Sequence, residues 1–230
     1  NQKTHIMQIV PIYEDNHILA VNKPSGALAQ GDKTGDRPLV EFAKDYLKKK
    51  YNKPGEVFLG IPHRLDRPTS GVLLFARTSK ALARLNEMFR NKEIRKTYWA
   101  VVKNCPEKDS DTLVHYMLKD EKKNKSVARL KTFAHATEAV LNYNLIAKST
   151  TYFLLEVNPI TGRHHQIRAQ LSAIGCPIKG DTKYGFDRPN KDRSIHLHAR
   201  KVEFIHPVSK KDITIEAPTP KDTVWNGMTQ

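Results

Sequence analysis

The sequence predicts an α+β fold: a mixed, mainly antiparallel central sheet with flanking helices. Three observations carry this. Roughly eight or more short segments rich in β-branched and aromatic residues are punctuated by Gly, Pro, Asn and Asp. Only three or four segments show helical spacing of apolar residues. The two kinds do not alternate as strict strand–helix–strand repeats, which disfavours a parallel, doubly wound sheet.

Taken in order, residues 9–30 read as strand, turn, strand and loop, with Ile18–Val21 a short apolar strand closed by Lys23-Pro24-Ser25-Gly26. Residues 38–50 are predicted helical: Pro38 suits the first turn, and Leu39, Phe42, Ala43, Tyr46 and Leu47 recur at three- and four-residue spacing. Lys48, Lys49 and Lys50 then meet the negative end of that helix. Residues 51–56 are a loop, and 72–76 (VLLFA) a buried strand. Thr78 or Ser79 caps a helix carrying Leu82, Leu85, Met88 and Phe89 on one face. Residues 97–102 (TYWAVV) are a second buried strand. The charged stretch 103–125 reads as a surface excursion from the core. Strands follow at 127–130, 136–146 and 151–157, the last ended by Asn158-Pro159. Residues 163–174 are predicted helical, with Ile167, Leu171 and Ile174 on one face and Gly175 as the stop. Strands at 195–205 and 212–216 close the chain. No repeat, heptad pattern or linker appears, so residues 1–230 are expected to form a single domain.

Charge narrows the partner. The chain has 230 residues, 39 Lys plus Arg against 24 Asp plus Glu, and a formal net charge of +15. A polyanion fits that balance, nucleic acid first and an anionic membrane second. Hydrophobic residues at 39% and charged residues at 27% exclude wholesale disorder. Cys105 and Cys176 form no CxxC spacing, which disfavours a zinc knuckle and suits a reducing, cytoplasmic compartment. No apolar stretch approaches a membrane span, and the N-terminal residues lack a signal peptide's apolar run. With no exposed apolar helix face, a monomer is expected.

Three segments are candidates for chemistry. In 61–71 (IPHRLDRPTSG), Asp66 stands between Arg64 and Arg67 just ahead of a strand. A carboxylate flanked by cations suits nucleophilic or electrostatic work better than proton donation. Thr69, Ser70 and Gly71 add small hydroxyls and a permissive turn. An ordinary ion pair on a surface turn is the competing account. In 95–98, Tyr98 enters a buried strand behind Arg95 and Lys96; it suits base stacking or proton transfer, though a core tyrosine is the commoner case. In 161–168, Arg163 and Arg168 stand with the free N–H groups of a helix start, a good anion site. His164 and His165 are adjacent and point apart on a helix, a poor pair of ligands for one metal. His196 and His198 share a strand face, but spacing supplies no third ligand. The loops at Lys23–Gly26 and 177–185 could each touch a phosphate backbone. Neither GxxxxGK[ST], GxGxxG nor GxSxG occurs, so nucleotide, dinucleotide and hydrolase motifs find no support.

Together these segments resemble the RluA-type RNA pseudouridine synthases, which isomerise uridine in structured RNA. His63-Arg64-Leu65-Asp66 with Thr69-Ser70-Gly71 resembles the catalytic signature of that family. Tyr13-Glu14-Asp15 and Ile18–Gly26 resemble its opening strand and loop, Lys96-Thr97-Tyr98 its tyrosine segment, and Gly162-Arg163 with His165–Arg168 its basic segment. Pro177-Ile178, Gly180-Asp181, Tyr184-Gly185 and Leu197-His198-Ala199 match later pieces, in order, so the likeness runs from about residue 12 to 217. It implies a sheet whose two halves flank a cleft, with neither metal nor organic cofactor. It implies Asp66 as the nucleophile, Tyr98 against the flipped base and helping to remove the C5 proton, and Arg168 paired with Asp66. Arg64 would fill the space left by the extruded nucleotide, and His63, Lys23, Thr69, Ser70, Arg163, His164, His165 and Ile167 would line the substrate site. The implied partner is structured RNA, ribosomal or transfer. The anion would attack C1′, abstract the C2′ proton or add to C6; sequence does not choose. A non-catalytic RNA-binding protein on the same scaffold is the alternative, and the presence of Asp66, Tyr98 and Arg168 speaks against it.

Two departures stand out. His164 occupies a position where the family more commonly has a hydroxyl residue. The likeness also begins too early to leave room for the S4-like module that precedes many relatives. The catalytic domain itself is therefore expected to hold the RNA.

Overall fold

The computed structural model describes residues 7–229. The first six residues, part of the N-terminal reading above, lie outside the described residues. In chain order the elements are β1 (Pro11–Glu14), β2 (Ile18–Lys23), α1 (Leu39–Lys50), β3 (Ser70–Ala76), α2 (Ser79–Arg90), β4 (Arg95–Val102), β5 (Ser110–Asp120), β6 (Lys125–Arg129), β7 (Thr137–Lys148), β8 (Phe153–Pro159), α3 (Gln166–Ala173), β9 (Leu197–Ile205), β10 (Asp212–Glu216) and α4 (Thr223–Met228). A short 3-10 turn spans Thr182–Tyr184.

Among the described residues the strands form one sheet in the order β1-β2-β3-β9-β4-β8-β7-β5-β6, with β10 also on β9. Every named strand pair is antiparallel except β3–β9, which is parallel over two residue pairs, Ser70 with His198 and Gly71 with Ala199. The fold is α+β with a mixed sheet, as the sequence predicts.

Local sequence explains how each half closes. The run VLLFA is apolar throughout because β2 and β3 are covered on both faces. Leu39, Ala43 and Leu47 of α1 pack with Leu19, Val21, Leu73 and Phe75. Ala81 and Leu85 of α2 pack on Ile18, Ala20, Val72 and Leu74 opposite. Thr78 caps α2, its side chain accepting the Ala81 N–H at 3.0 Å. In the second half, Ile167 and Leu171 of α3 sit on Ala100, Leu141, Leu155 and Val157. Trp225 and Met228 of α4 cover Val101 and Leu154 from the other side. Tyr98 packs against the core of both halves.

Three expectations are corrected. Residues 110–120 do not leave the core. They form β5, paired with β7 on one side and β6 on the other, with Leu113, His115 and Met117 buried in alternation. Polar His115 hides that alternation in the sequence, and burial is tolerated because Gln170 Nε2 lies 2.9 Å from its Nδ1. Asn158-Pro159 does not break a strand but completes β8. The 163–174 helix begins only at Gln166, because His165 is left-handed (φ 52°). The helix α4 has no counterpart in the sequence reading; its cap is Asp222, whose side chain accepts the Trp225 N–H at 2.7 Å.

Candidate active site

The site is assembled where the two halves meet. Asp66 lies on the loop before β3, and its backbone carbonyl accepts the Thr69 N–H at 3.0 Å. That loop is cradled by residues 23–27. The fully buried Lys23 ammonium donates to the carbonyls of Pro24 (3.0 Å), Ala27 (2.7 Å) and Arg67 (3.0 Å). Ser25 Oγ donates to the Pro68 carbonyl at 2.8 Å, and Gly26 N–H to the Arg67 carbonyl at 2.8 Å. Burial pulls the Lys23 pKa down to about 7, against the opposing pull of Asp66. Lys23 is therefore a clamp for the Asp66 loop and does not reach solvent to hold a phosphate.

The carboxylate of Asp66 keeps 32% of its side-chain surface exposed, so a ligand in the cleft can reach it. Behind it stands Arg168, on the first turn of α3. Two of its nitrogens grip the buried Asp181 carboxylate, Nε to Oδ2 at 2.7 Å and Nη2 to Oδ1 at 2.9 Å. The third, Nη1, points to Asp66 Oδ2 at 3.4 Å. The planar guanidinium thus has its orientation set by one carboxylate while it faces the other. Burial opposes its charge, but Asp181 and then Asp66 outweigh that and raise its pKa.

His165 completes this wall. Its Nε2 lies 3.7 Å from Asp66 Oδ2 and 3.2 Å from Arg168 Nη1, and its Nδ1 is 2.7 Å from the Tyr184 hydroxyl. The same hydroxyl accepts the Ser126 N–H at 2.9 Å, so its own proton is free to go to His165 Nδ1. Burial and Arg168 push the His165 pKa down to about 2, so the ring meets Asp66 as a neutral dipole and not as an ion-pair partner. His164 stacks on His165 with ring centroids 3.7 Å apart, and it reaches Ser126 Oγ (2.8 Å) and Asn124 Oδ1 (3.1 Å) on β6 and the turn before it. His164 therefore ties the wall around Asp66 to the β5–β6 hairpin.

Tyr98 faces this cluster from β4. Burial, then the Asp66 charge, pushes its phenol well above the ordinary value. Tyr98 therefore keeps its proton at neutral pH. Lys96, two residues earlier, is pulled below the usual lysine value by burial, and its ammonium lies beside Gly162.

The remaining expected residues divide clearly. Arg64 is exposed, two residues before Asp66 on the same loop. Ile167 is buried in the wall beneath Tyr98. Arg163 is exposed and anchored, its Nε donating to the Glu138 carbonyl at 2.8 Å. His63 is structural: its Nε2 accepts the Leu74 N–H at 2.9 Å, its ring stacks on Phe89, and burial lowers its pKa to about 3. Ser70 is structural as well, with Oγ 2.8 Å from His198 Nδ1, while His198 Nε2 meets the Ala217 carbonyl at 2.9 Å. Thr69 is buried, and its Oγ1 has no hydrogen-bond partner among the described residues. His196 reaches Asp222 at 3.0 Å and Asn190 at 2.9 Å, so the two strand histidines have separate partners. Sequence reasoning missed Asp181 and Tyr184 as partners of Arg168 and His165. The signal was their place in the 177–185 loop and in the matching pieces Gly180-Asp181 and Tyr184-Gly185, neither of which gave them a role.

A family model described as RNA pseudouridylate synthase matches residues 17–173. The chain belongs to this family. Asp66, Tyr98 and Arg168 all fall inside the matched span, whereas Asp181 and Tyr184 lie beyond it. The chain is 34% identical to tRNA pseudouridine synthase C of Vibrio cholerae, over 94% of this chain and 93% of that one. It is 35% identical to ribosomal large subunit pseudouridine synthase C of Buchnera aphidicola, over 90% of this chain but 66% of the relative. A solved structure of human RNA pseudouridylate synthase domain containing 4 superposes with TM-score 0.77, 24% identity and coverage of 94% and 90%, which establishes the shared fold. This chain is thus an RNA pseudouridine synthase, an isomerase acting on RNA.

Proposed function

We propose that this synthase isomerises uridine in structured transfer or ribosomal RNA, with Asp66 as nucleophile, Tyr98 against the flipped base and Arg168 fixing the carboxylate. One observation carries the assignment. Asp66 is open to the cleft, while the arginine facing it is itself immobilised by Asp181. Isomerisation requires the base to leave C1′, rotate and rejoin through C5. Attack at C1′, abstraction of the C2′ proton and addition to C6 all need an anion held in one orientation, and the Arg168–Asp181 pair supplies that.

The protonation pattern supports a role for Tyr98 in the later step. Tyr98 is a poor base in the free enzyme because burial, and then the neighbouring Asp66 carboxylate, keep its phenol protonated. For the step to balance, the phenol hands its own proton to N1 of the detached uracil, and the phenolate so formed takes the proton from C5, which leaves N1–H on the product and Tyr98 as it began. The tyrosine ring meanwhile offers a stacking face for a uracil taken out of its helix, and Arg64, exposed two residues before Asp66, is the side chain that would replace the lost base. The same reading has the protein act as a monomer in the cytoplasm, its cysteines free; sedimentation checks the first point.

The decisive measurement is tritium release from RNA labelled at uridine C5. Asp66→Asn is expected to lower release by about a thousandfold or more while RNA binding persists. Near-normal release by this variant would remove Asp66 from the nucleophile's role.

A further inference from the structure

Residues 186–194 form a strap whose ends are tied to the catalytic frame. Phe186 N–H donates to the carbonyl of Asp181 at 3.0 Å, the residue that grips Arg168. Ile195 N–H, just past the strap, donates to the carbonyl of Pro68 at 3.2 Å, on the loop that carries Asp66. Asn190 stiffens the strap. Its Nδ2 donates to the Ser194 carbonyl at 2.9 Å, and its Oδ1 accepts the Lys179 ammonium at 2.5 Å. The strap lies so close over Gly180 that a side chain there would strike Asn190 and Ser194.

Between the strap and the neighbouring ends of β4 and β8 is a cavity of about 400 Å³. Its walls carry Lys103, Lys179, Arg188 and Lys191, with the rings of Tyr152 and Phe186. A single carboxylate, Asp187, opposes the four cations, 3.6 Å from Lys103. Half-buried Lys179 sits 5.8 Å from the Tyr152 ring centroid and has no carboxylate within ion-pair distance among the described residues. Nothing in the catalytic arrangement uses this charge. Aromatic faces interleaved with lysines are the composition of a single-stranded RNA site, where rings stack bases and ammoniums take phosphates. Lys103 is five residues beyond Tyr98, roughly 16 Å along the strand, and Tyr152 packs on the sheet face opposite Tyr98, so an RNA strand would reach the cavity round the end of the sheet, a path of several nucleotides.

The geometry points to a second RNA-contact site in this cavity, holding a single-stranded nucleotide that flanks the target uridine. Its base lies against Tyr152 and Phe186, and its phosphates meet Lys103, Lys179, Arg188 and Lys191. The inference rests on RNA being the substrate but not on the role given to Asp66.

The test compares the intact protein with Arg188→Ala/Lys191→Ala, two exposed positions, using a fluorescent uridine trinucleotide and a uridine dodecamer. Lys48→Ala/Lys80→Ala removes the same charge elsewhere on the surface. The cavity variant is expected to bind the dodecamer about tenfold more weakly, with a salt slope shallower by about 1.4 for two lost phosphate contacts. The trinucleotide should bind both proteins alike, and a thiouridine dodecamer should crosslink to Tyr152 or Phe186. Unchanged dodecamer affinity, or an equal loss in the surface control, overturns the proposal. So does full competition by free uridine monophosphate at the crosslink, which would assign a mononucleotide site. If the wild type releases no tritium yet shows this length-dependent binding, the synthase reading fails and the RNA site stands.

Discussion

At the level of single residues, the site is built from buried groups that each fix one neighbour. Asp181 fixes Arg168, Arg168 faces Asp66, and Tyr184 turns His165. The most informative substitution is Tyr98→Phe, which keeps the ring and removes the proton carrier. Turnover is expected to fall about a hundredfold, the lower range for loss of a general acid–base group, with RNA affinity unchanged. Single-turnover tritium release against equilibrium binding separates the two, and an unaltered rate would leave Tyr98 with stacking alone. The residues that meet the cleft were legible in the sequence because each pairs an unusual side chain with a local turn: Asp66 between arginines, Tyr98 after two cations, Arg168 at a helix start. Lys23, His63 and Ser70 were also visible, but not their roles. Whether a lysine meets a phosphate or three backbone carbonyls depends on segments far away in the chain, as the Lys23–Arg67 contact shows.

Among the elements, legibility followed the hydrophobic period. The strands β2 and β3 and the helix α2 were plain because apolar residues fill every position that packing demands. The strand β5 was hidden by His115, and the start of α3 by the left-handed His165. Neither feature has a signature in composition, since both depend on partners across the sheet. One glycine is critical at this scale. Gly71 has φ 120°, and a Cβ there would run into the backbone of Ala199 at the β3–β9 pairing. Gly71→Ala is therefore expected to destabilise the fold by about 3 kcal/mol or more, combining strain with a backbone collision. Chemical denaturation measures this directly, and a loss no larger than that of an exposed Gly→Ala control would show that β3 and β9 can part locally.

For the whole molecule, buried histidines set the acid limit. His63, His165 and His198 have folded pKa values of about 3, 2 and 4, against an ordinary value of 6.5. Between those limits the unfolded chain binds protons that the native state refuses. Stability therefore falls as pH drops below 6.5, by about 1.4 kcal/mol per pH unit for each histidine fully titrating only in the unfolded chain. Denaturant midpoints between neutral and mildly acidic pH should decline steadily, and a flat profile would mean that these rings protonate in place. The net charge of +15 acts at the same scale. It draws RNA to the protein without choosing a uridine, so association should weaken steeply with added salt.

The parallel contact between β3 and β9 joins residues 128 apart in sequence, as the Ser70–His198 pair shows. On the ribosome, β1, β2, β3 and both early helices emerge well before the strand that completes them. Until about residue 200 is synthesised, one edge of β3 has no native neighbour, although the hairpin and helices around it can already have formed. That exposed edge defines a window for mispairing with other nascent chains. Joining of the two halves through β3 and β9 is accordingly a late event in the making of the polypeptide, because β9 must be synthesised before β3 can pair with it.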